Sequence, residues 1–245
     1  MKVAVGIQCR LGSQRLPCKA LLKLSDTTIL GMTIKRSIAQ NLDTYLLTSE
    51  DESDDLILKE GEGNDVKKVI RGSLVDVSSR YLNLIDEVKP DFVVRVTADN
   101  PLTEFRYISP LIEHMISTDL PYSWVDPYSC ADGVNLEIFT PEFFKVSYES
   151  DKSEFCREHV TSYMRAQVGL RSSVKLYELL KITPQNSSNL HFGIDKIEDY
   201  VKMSKIINLT ESKGIRWFED QFTYECISNA KNRELNYPQG RRHFP

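Results

Sequence analysis

The chain has 245 residues, enough for one α/β domain with a sizeable core, and its 41% hydrophobic and 27% charged residues are typical of a globular protein. A formal net charge of −4 argues against a general nucleic-acid coat, because bulk binding of a polyanion requires excess cations. The five cysteines form no C-x-x-C pair, and no apolar stretch reaches the length of a signal peptide or membrane span. We therefore expect a cytoplasmic protein with reduced thiols that binds neither nucleic acid nor membrane.

The first predicted strand is the apolar run from Val3 to Ile7, which is rich in β-branched residues. It leads into a strand-to-helix connection, QCRLGSQRLPCK, that we call the basic loop (residues 8–19). The residues suited to hold a polyphosphate there are Arg10, Gly12, Ser13, Arg15 and Lys19. Glycine lets the backbone approach phosphate oxygens, successive N–H groups can form an anion nest, and the cations offer charge. A basic surface loop with a capping serine shows the same spacing, so the loop alone leaves both interpretations open.

Short apolar runs and helical periodicity alternate along the rest of the chain. The pattern predicts helices at 29–38, 54–60, 74–88 and 197–212, and strands at 45–48, 66–70, 92–97, 174–177 and 190–194. Repeated β-α-β units predict a Rossmann-like, mostly parallel sheet flanked by helices. Ligands of such sheets bind at the carboxyl ends of the strands, where the basic loop begins.

Prolines and aromatic residues interrupt this alternation from about Leu120 to Gln167. We interpret this segment as a departure from the sheet within a single domain that spans residues 1–245. It is where we expect acceptor recognition and dimer contacts.

Two carboxylates follow predicted strands and are candidates for a metal site. Asp99 follows FVVRVT and Asp195 follows LHFGI, so both can emerge at the ligand edge of the sheet. Hard oxygen ligands from strand ends suit Mg²⁺, which takes one or two carboxylates together with waters and substrate phosphates. Alternatively, Asp99 belongs to an Asp-Asn-Pro turn, and Asp195 is a helix N-cap with Glu198 completing a capping box.

The basic loop resembles the Q-A-R-x-G-S-x-R-L-P-G-K opening of the cytidylyltransferases that activate acidic sugars, especially the spore-coat polysaccharide branch related to CMP-sialic acid and CMP-Kdo synthetases. Cys9 replaces the usual alanine and Cys18 the second glycine, so we expect a weakened glycine-dependent turn at Cys18. Five further segments resemble the family's motifs in order: RGSLVDVSSRY, RVTADNP, DGVNLE, EHVT and DKIEDY.

The resemblance implies a nucleotidyltransferase that uses CTP and Mg²⁺ to make a CMP-activated acidic sugar or related hydroxy acid, with release of pyrophosphate. It implies the fold of nucleotide-diphospho-sugar transferases and a homodimer, and we assign no general base. The resemblance also implies a role for each matched residue. The triphosphate is held by Arg10, Arg15 and Lys19 together with the N–H groups of Gly12 and Ser13, and the metal is carried by Asp99 and Asp195. The base or ribose is contacted by Gln8, Arg71 and Ser73, and the small acidic acceptor is faced by Asn135, Glu137 and His159.

Several of these residues also have structural interpretations. His159 falls within a predicted helix from Glu154 to Arg165, and Asp76 and Arg80 can pair with each other at i, i+4. Two other functions stay open. A glycosyltransferase that consumes the activated sugar is disfavoured because the sequence has no Asp-x-Asp motif, and a non-catalytic nucleotide sensor is suggested by departures from the family pattern such as His191.

Overall fold

The computed structural model describes residues 1–126, 129–169, 173–174 and 187–232. Its strands are β1 (Val3–Gln8), β2 (Lys23–Leu24), β3 (Thr27–Thr28), β4 (Asp43–Ser49), β5 (Lys68–Gly72), β6 (Phe92–Thr97), β7 (Tyr122–Val125), β8 (Glu137–Phe139) and β9 (Ser173–Val174). One sheet has the order β5-β4-β1-β6-β8-β7-β9, and β2 and β3 form a separate antiparallel pair. The strands β5, β4, β1 and β6 are mutually parallel, whereas β8 is antiparallel to both of its neighbours. This confirms the predicted mostly parallel α/β sheet.

Helices cover both faces of this sheet in the described part of the chain. They are α1 (Ile29–Ala39), α2 (Asp55–Glu62), α3 (Val77–Val88), α4 (Ile108–Thr118), α5 (Pro141–Ser150), α6 (Glu154–Glu158), α7 (Ser162–Val168), α8 (Ile197–Ser212) and α9 (Phe222–Asn232). Polar caps fix several starts: Thr28 Oγ1 accepts from Gly31 N–H at 2.8 Å before α1, and Asp76 accepts from Ser79 N–H at 2.9 Å before α3. Among the described residues, none of the helices combines the length and apolar character that a membrane crossing requires.

Two apolar clusters form the core, one on each face of the sheet. Val94 of β6 packs with the cluster that contains α1, α4 and α8, and its neighbour Val93 packs with the cluster that contains α3. Successive residues of a strand point to opposite faces, so a strand covered on both sides must be apolar at nearly every position. This explains why the predicted strand 92–97 is confirmed at both ends.

The structure corrects three expectations about the second half of the chain. The segment 120–167 does not leave the sheet, because it contributes β7 and β8. The run 190–194 is not a strand in the described structure; it makes one isolated parallel bridge, between His191 and Asp132. The predicted helix 154–165 is divided into α6 and α7, with Val160 between them at φ 32°. In the predicted strand 174–177, Val174 lies in β9 and residues 175–177 lie outside the described residues. The single domain over 1–245 stays a prediction.

Candidate active site

A cleft of about 550 Å³ opens where β1 and β6 end. Its lining residues come from these strand ends, the basic loop, the start of α3 and two carboxylates distant in sequence. Eight of the predicted site residues line it: Gln8, Arg10, Gly12, Ser13, Arg15, Lys19, Asp99 and Asp195. The carboxyl edge of the parallel sheet thus brings the predicted phosphate-binding and metal-binding groups together.

Lys19 lies between the two candidate metal carboxylates. Its Nζ donates to Asp99 Oδ2 at 2.6 Å and to Asp195 Oδ1 at 3.2 Å, and to the carbonyl oxygen of Ile194 at 2.8 Å. Burial acts to lower the pKa of Lys19, but the two carboxylates outweigh it, and the pKa is raised above its ordinary value. The lysine is therefore a charged ammonium group at neutral pH.

Backbone contacts bring the two carboxylates together across about a hundred residues of sequence. The N–H of Ile194 donates to the carbonyl of Asp99 at 3.0 Å, which joins the segment before α8 to the end of β6. The alternative role of Asp195 as an N-cap with Glu198 is wrong. The carboxylate of Asp199 accepts from the N–H groups of Asp195 and Lys196, both at 3.1 Å. Because Asp199 caps this end of α8, the carboxylate of Asp195 remains directed at the cleft cations.

The donors around Lys19 fit Mg²⁺. Two carboxylate oxygens and one carbonyl oxygen surround a positive charge, and all three are the hard oxygen ligands that Mg²⁺ prefers. Within the described residues, no group of three or more histidine, cysteine or carboxylate side chains is arranged to hold a metal ion. A Mg²⁺ ion at Asp99 and Asp195 would therefore complete its coordination with water and substrate phosphate, as this ion commonly does.

The two arginines of the basic loop also face carboxylates. Arg10 pairs with Glu158 at 3.0 Å, and Arg15 pairs with Asp195 at 2.9 Å. These pairs are substantially exposed, with 41% and 68% of the arginine side chains accessible, so they contribute little to stability. Both guanidinium groups can therefore exchange their partners for an anionic ligand at low cost.

A fully buried carboxylate anchors the backbone of the basic loop. Asp54 accepts from the N–H of Leu11 at 2.7 Å and from the hydroxyl of Ser49 at 2.5 Å. The N–H of Ser13 donates to the carbonyl of Leu11 at 2.7 Å, so this group is occupied within the loop and is not a free donor of an anion nest. Asp54 was predicted only as the start of a helix, because the sequence does not show which distant backbone group its carboxylate contacts.

Gly12 and Cys18 differ in what their backbone requires. Cys18 has φ 54° and ψ 23°, the left-handed conformation that favours glycine, which agrees with the expected glycine-dependent turn. Gly12 does not have a positive φ, and a Cβ there would meet no atom within 4 Å. The fold itself therefore does not require glycine at position 12, which leaves a close approach of ligand to the backbone as a reason for it.

Two residues assigned to base or ribose, Arg71 and Ser73, do not line the cleft in the described structure. The guanidinium of Arg71 donates to the carbonyl oxygens of Ser49 and Asp51 and pairs with Asp55 at 2.9 Å. The hydroxyl of Ser73 accepts from the N–H of Asp76 at 3.0 Å. Both side chains thus support local structure, and their contact with nucleotide stays a prediction.

The three residues assigned to the acceptor, Asn135, Glu137 and His159, do not line the described cleft either. Asn135 is half-buried, and the exposed ring of His159 lies 4.5 Å from the ring of Phe155, in the break after α6. The carboxylate of Glu137 is buried and bonded to Arg95, Arg165, Tyr122 and Thr161. These partners give Glu137 a structural role, and the contact of all three residues with the acceptor stays a prediction.

Arg80 and Glu158 line the cleft but had no predicted catalytic or binding role. Arg80 is only 1% exposed, and it donates to the carbonyls of Ser73, Leu74 and Cys9. Within the described residues it has no carboxylate within 4 Å, so the suggested pair with Asp76 does not form. The sequence feature that could have identified Arg80 and Glu158 as cleft residues is their place in the matched motifs RGSLVDVSSRY and EHVT.

Comparisons with known proteins find relatives in sequence and in fold. A family model described as Cytidylyltransferase matches residues 4–229, a range that contains every predicted site residue. An uncharacterized protein of Methanocaldococcus jannaschii, MJ1063, is 30% identical over 213 residues, covering 85% of this chain and 86% of that protein. The spore coat polysaccharide biosynthesis protein SpsF of Bacillus subtilis is 28% identical over 172 residues, covering 65% and 68%. A solved cytidylyltransferase structure from Leptospira borgpetersenii has a TM-score of 0.83 at 26% identity, covering 99% of this chain and 100% of that chain.

Proposed function

The chain belongs to the cytidylyltransferase family and is a CTP-using nucleotidyltransferase, and we propose that it transfers CMP to a small acidic sugar or related hydroxy acid in a reaction that needs Mg²⁺ and releases pyrophosphate. The observation that carries the proposal is the convergence of Lys19, Asp99 and Asp195 in one cleft. Phosphate-binding cations and hard oxygen donors are both needed to transfer a nucleotidyl group. The name of the SpsF relative, which refers to polysaccharide biosynthesis, supports a sugar as the acceptor.

The proposed reaction is an in-line displacement at the α-phosphorus of CTP. An acceptor oxygen forms the new bond to phosphorus, and the bond to the bridging oxygen of the leaving pyrophosphate breaks. Negative charge develops on phosphoryl oxygens and the leaving group, so catalysis consists mainly of positioning and charge neutralisation. Arg10, Arg15 and Lys19 supply that neutralisation by exchanging their carboxylate partners for phosphate oxygens.

In this proposal Asp99 and Asp195 hold the Mg²⁺ ion. When bound, the ion supplies positive charge to the phosphate oxygens. Lys19 is suited to work beside it, because a flexible lysine side chain can move from the carboxylates to a phosphate oxygen. We also propose a homodimer, with contacts in the segment 120–167, which sedimentation of the purified protein tests.

Pyrophosphate release tests the proposed reaction. The purified protein is incubated with each nucleoside triphosphate, with and without Mg²⁺, and with a panel of acidic sugars and phosphonates. We expect release only with CTP, Mg²⁺ and one class of acidic acceptor. Release with another nucleotide in place of CTP would contradict the nucleotide assignment, and undiminished release in a chelator would contradict the role of the metal. Binding of CTP without release across the panel would favour a nucleotide sensor.

A further inference from the structure

A polar network connects the cleft residue Gln8 to the buried carboxylate of Glu137. The side-chain oxygen of Gln8 accepts from Arg95 Nε at 3.1 Å and from the hydroxyl of Tyr81 at 3.2 Å. Arg95 Nη1 donates to Glu137 Oε2 at 2.7 Å, so one guanidinium group bridges the two residues. The network crosses the sheet from β1 through β6 to β8, where Arg95 and Glu137 are direct cross-strand partners.

The chemistry of arginine fixes which end of the Gln8 amide faces the network. A guanidinium group has only donors, so the Gln8 atom within hydrogen-bond distance of Arg95 must be the oxygen. The opposite orientation would place an NH₂ group against the N–H of Arg95 Nε and leave that N–H without an acceptor on Gln8. Gln8 lines the cleft, and among the described residues its Nε2 has no hydrogen-bond partner. The amide therefore offers N–H donors, and not an acceptor, to a molecule in the cleft.

The partners of Gln8 are themselves held in place. Glu137 is also bonded to Arg165, Tyr122 and Thr161. Burial alone would raise the pKa of Glu137, but the charges of Arg165 and Arg95 outweigh it and lower the pKa to about 2. It therefore remains an anion that fixes the guanidinium of Arg95. On the other side, Tyr81 reaches Gln8 by packing over Gly6, where an added Cβ would lie 2.9 Å from the ring.

We propose that Gln8 presents a fixed N–H donor to an uncharged acceptor atom of the bound nucleotide, and that Arg95 is the positioning residue that sets this polarity. This rests on the proposed function, since it assumes that CTP binds in the cleft. The acceptor atom is a carbonyl oxygen or ring nitrogen of the base, or a ribose hydroxyl oxygen. A ligand with a donor at the same position would meet Gln8 with two opposed N–H groups and would be rejected.

The variant Gln8→Glu tests the donor directly. A carboxylate keeps an acceptor for Arg95 and Tyr81 but replaces the NH₂ group with an oxygen. We expect the Kd for CTP, measured by calorimetry, to rise on the order of 10- to 100-fold, the loss typical of an unsatisfied polar contact, with little change in Tm. Gln14→Glu is the matched control, because Gln14 lines the same cleft and gains the same charge outside the network. Equal losses of affinity in the two variants would overturn the proposal.

A double-mutant cycle tests the positioning role of Arg95. Arg95→Met is combined with Gln8→Met, which can neither donate nor accept. If Arg95 acts through Gln8, its substitution weakens CTP binding when Gln8 is present and has little further effect when Gln8 is replaced. The same loss in both backgrounds would indicate independent structural damage and would overturn the positioning role. If Arg95→Met does not fold, Arg95→Lys gives the same cycle, because an ammonium group can keep the contact with Glu137 but does not reproduce the fixed Nε donor to Gln8.

A nucleotide analogue identifies the acceptor atom. If the difference between wild type and Gln8→Glu disappears with 2′-deoxy-CTP, the donor contacts the ribose 2′ oxygen; if it persists, the donor contacts another acceptor atom. Both results support a fixed donor. Wild-type protein that binds no CTP would contradict the proposed function, whereas normal CTP binding by wild type and Gln8→Glu alike would overturn only this inference.

Discussion

Replacing Lys19 with methionine should destabilise the protein and increase the dependence of its stability on Mg²⁺. Methionine keeps the apolar stem of the side chain but removes the ammonium group that contacts Asp99, Asp195 and the carbonyl of Ile194. Bonds to charged groups each contribute about 1.5–3 kcal/mol when buried, but the carboxylates here are 28% and 33% exposed, which screens the interaction. We therefore expect the free energy of unfolding to fall by about 1–3 kcal/mol.

The loss of Lys19 also leaves Asp99 without its cation partner in the described structure, while Asp195 keeps only its exposed pair with Arg15. A divalent ion that binds only the folded state at about one hundred times its Kd adds about 2.7 kcal/mol of stability. Thermal unfolding in millimolar Mg²⁺ and in a chelator should therefore show a larger Mg²⁺-dependent rise in Tm for Lys19→Met than for wild type. Lys23→Met, at an exposed lysine of β2, controls for the loss of one positive charge. Equal responses of wild type and Lys19→Met to Mg²⁺ would refute the reasoning that Asp99 and Asp195 form a cation site.

Four other predictions follow from single positions. Gly12→Ala should leave Tm nearly unchanged, because a Cβ there meets open space in the protein, but it should weaken CTP binding in calorimetry, because the same Cβ would stand where the ligand approaches the backbone. Unchanged affinity would show that no ligand approaches this backbone. Cys18→Gly should raise the free energy of unfolding in urea by about 1 kcal/mol, since it removes left-handed strain, and a loss of stability would contradict that account. Arg15→Ala should reduce kcat/KM by an amount equivalent to about 2–4 kcal/mol, and an unchanged value would remove this residue from the site. The pKa of Glu137 is lowered to about 2 from an ordinary 4.5, which gives about 3 kcal/mol of stability that is fully present above pH 4.5 and is lost as the pH falls through 2. The free energy of unfolding should therefore fall less steeply with acid in Glu137→Gln than in wild type, and identical slopes would contradict this.

The sequence predicted elements best where burial alone dictates their pattern. The strand 92–97 was correct to the residue, because both faces of the sheet are covered there and four of its six residues, Phe92, Val93, Val94 and Val96, are apolar. The run 190–194 is equally apolar and buried at Leu190, Phe192 and Ile194, yet its backbone forms only one isolated bridge. An apolar run reports burial, whereas a strand also requires a neighbouring backbone at the right distance, and that partner is chosen by the tertiary fold.

In the candidate site, too, the residues that follow strands were predicted from the sequence, whereas contacts between side chains distant in sequence were not. The basic loop and Asp99 were identified because the ends of parallel strands meet at one edge, so position along the chain predicts position in space. Asp195 reaches the same edge by another route, since the run before it is not a strand and is held there by the bond from Ile194 N–H to the carbonyl of Asp99. The role of Glu137 could not be found in this way. Its function depends on Arg95 and Arg165, which reach it from two other elements, and the same residue in the same motif could have faced solvent or substrate.

The charge balance of the cleft gives a physical reason to expect a divalent cation with the nucleotide. The charged residues that line it in the described structure are Arg10, Arg15, Lys19 and Arg80, opposed by Asp99, Glu158 and Asp195. These side chains nearly neutralise one another, so the cleft without ligand carries little net charge. A nucleoside triphosphate brings about four negative charges at neutral pH, and the arginines and lysine that bind it release their carboxylate partners into the same space. Neutralising both the phosphates and the released carboxylates requires more positive charge than the side chains provide, and a cation bound by Asp99 and Asp195 would supply it where the excess is greatest.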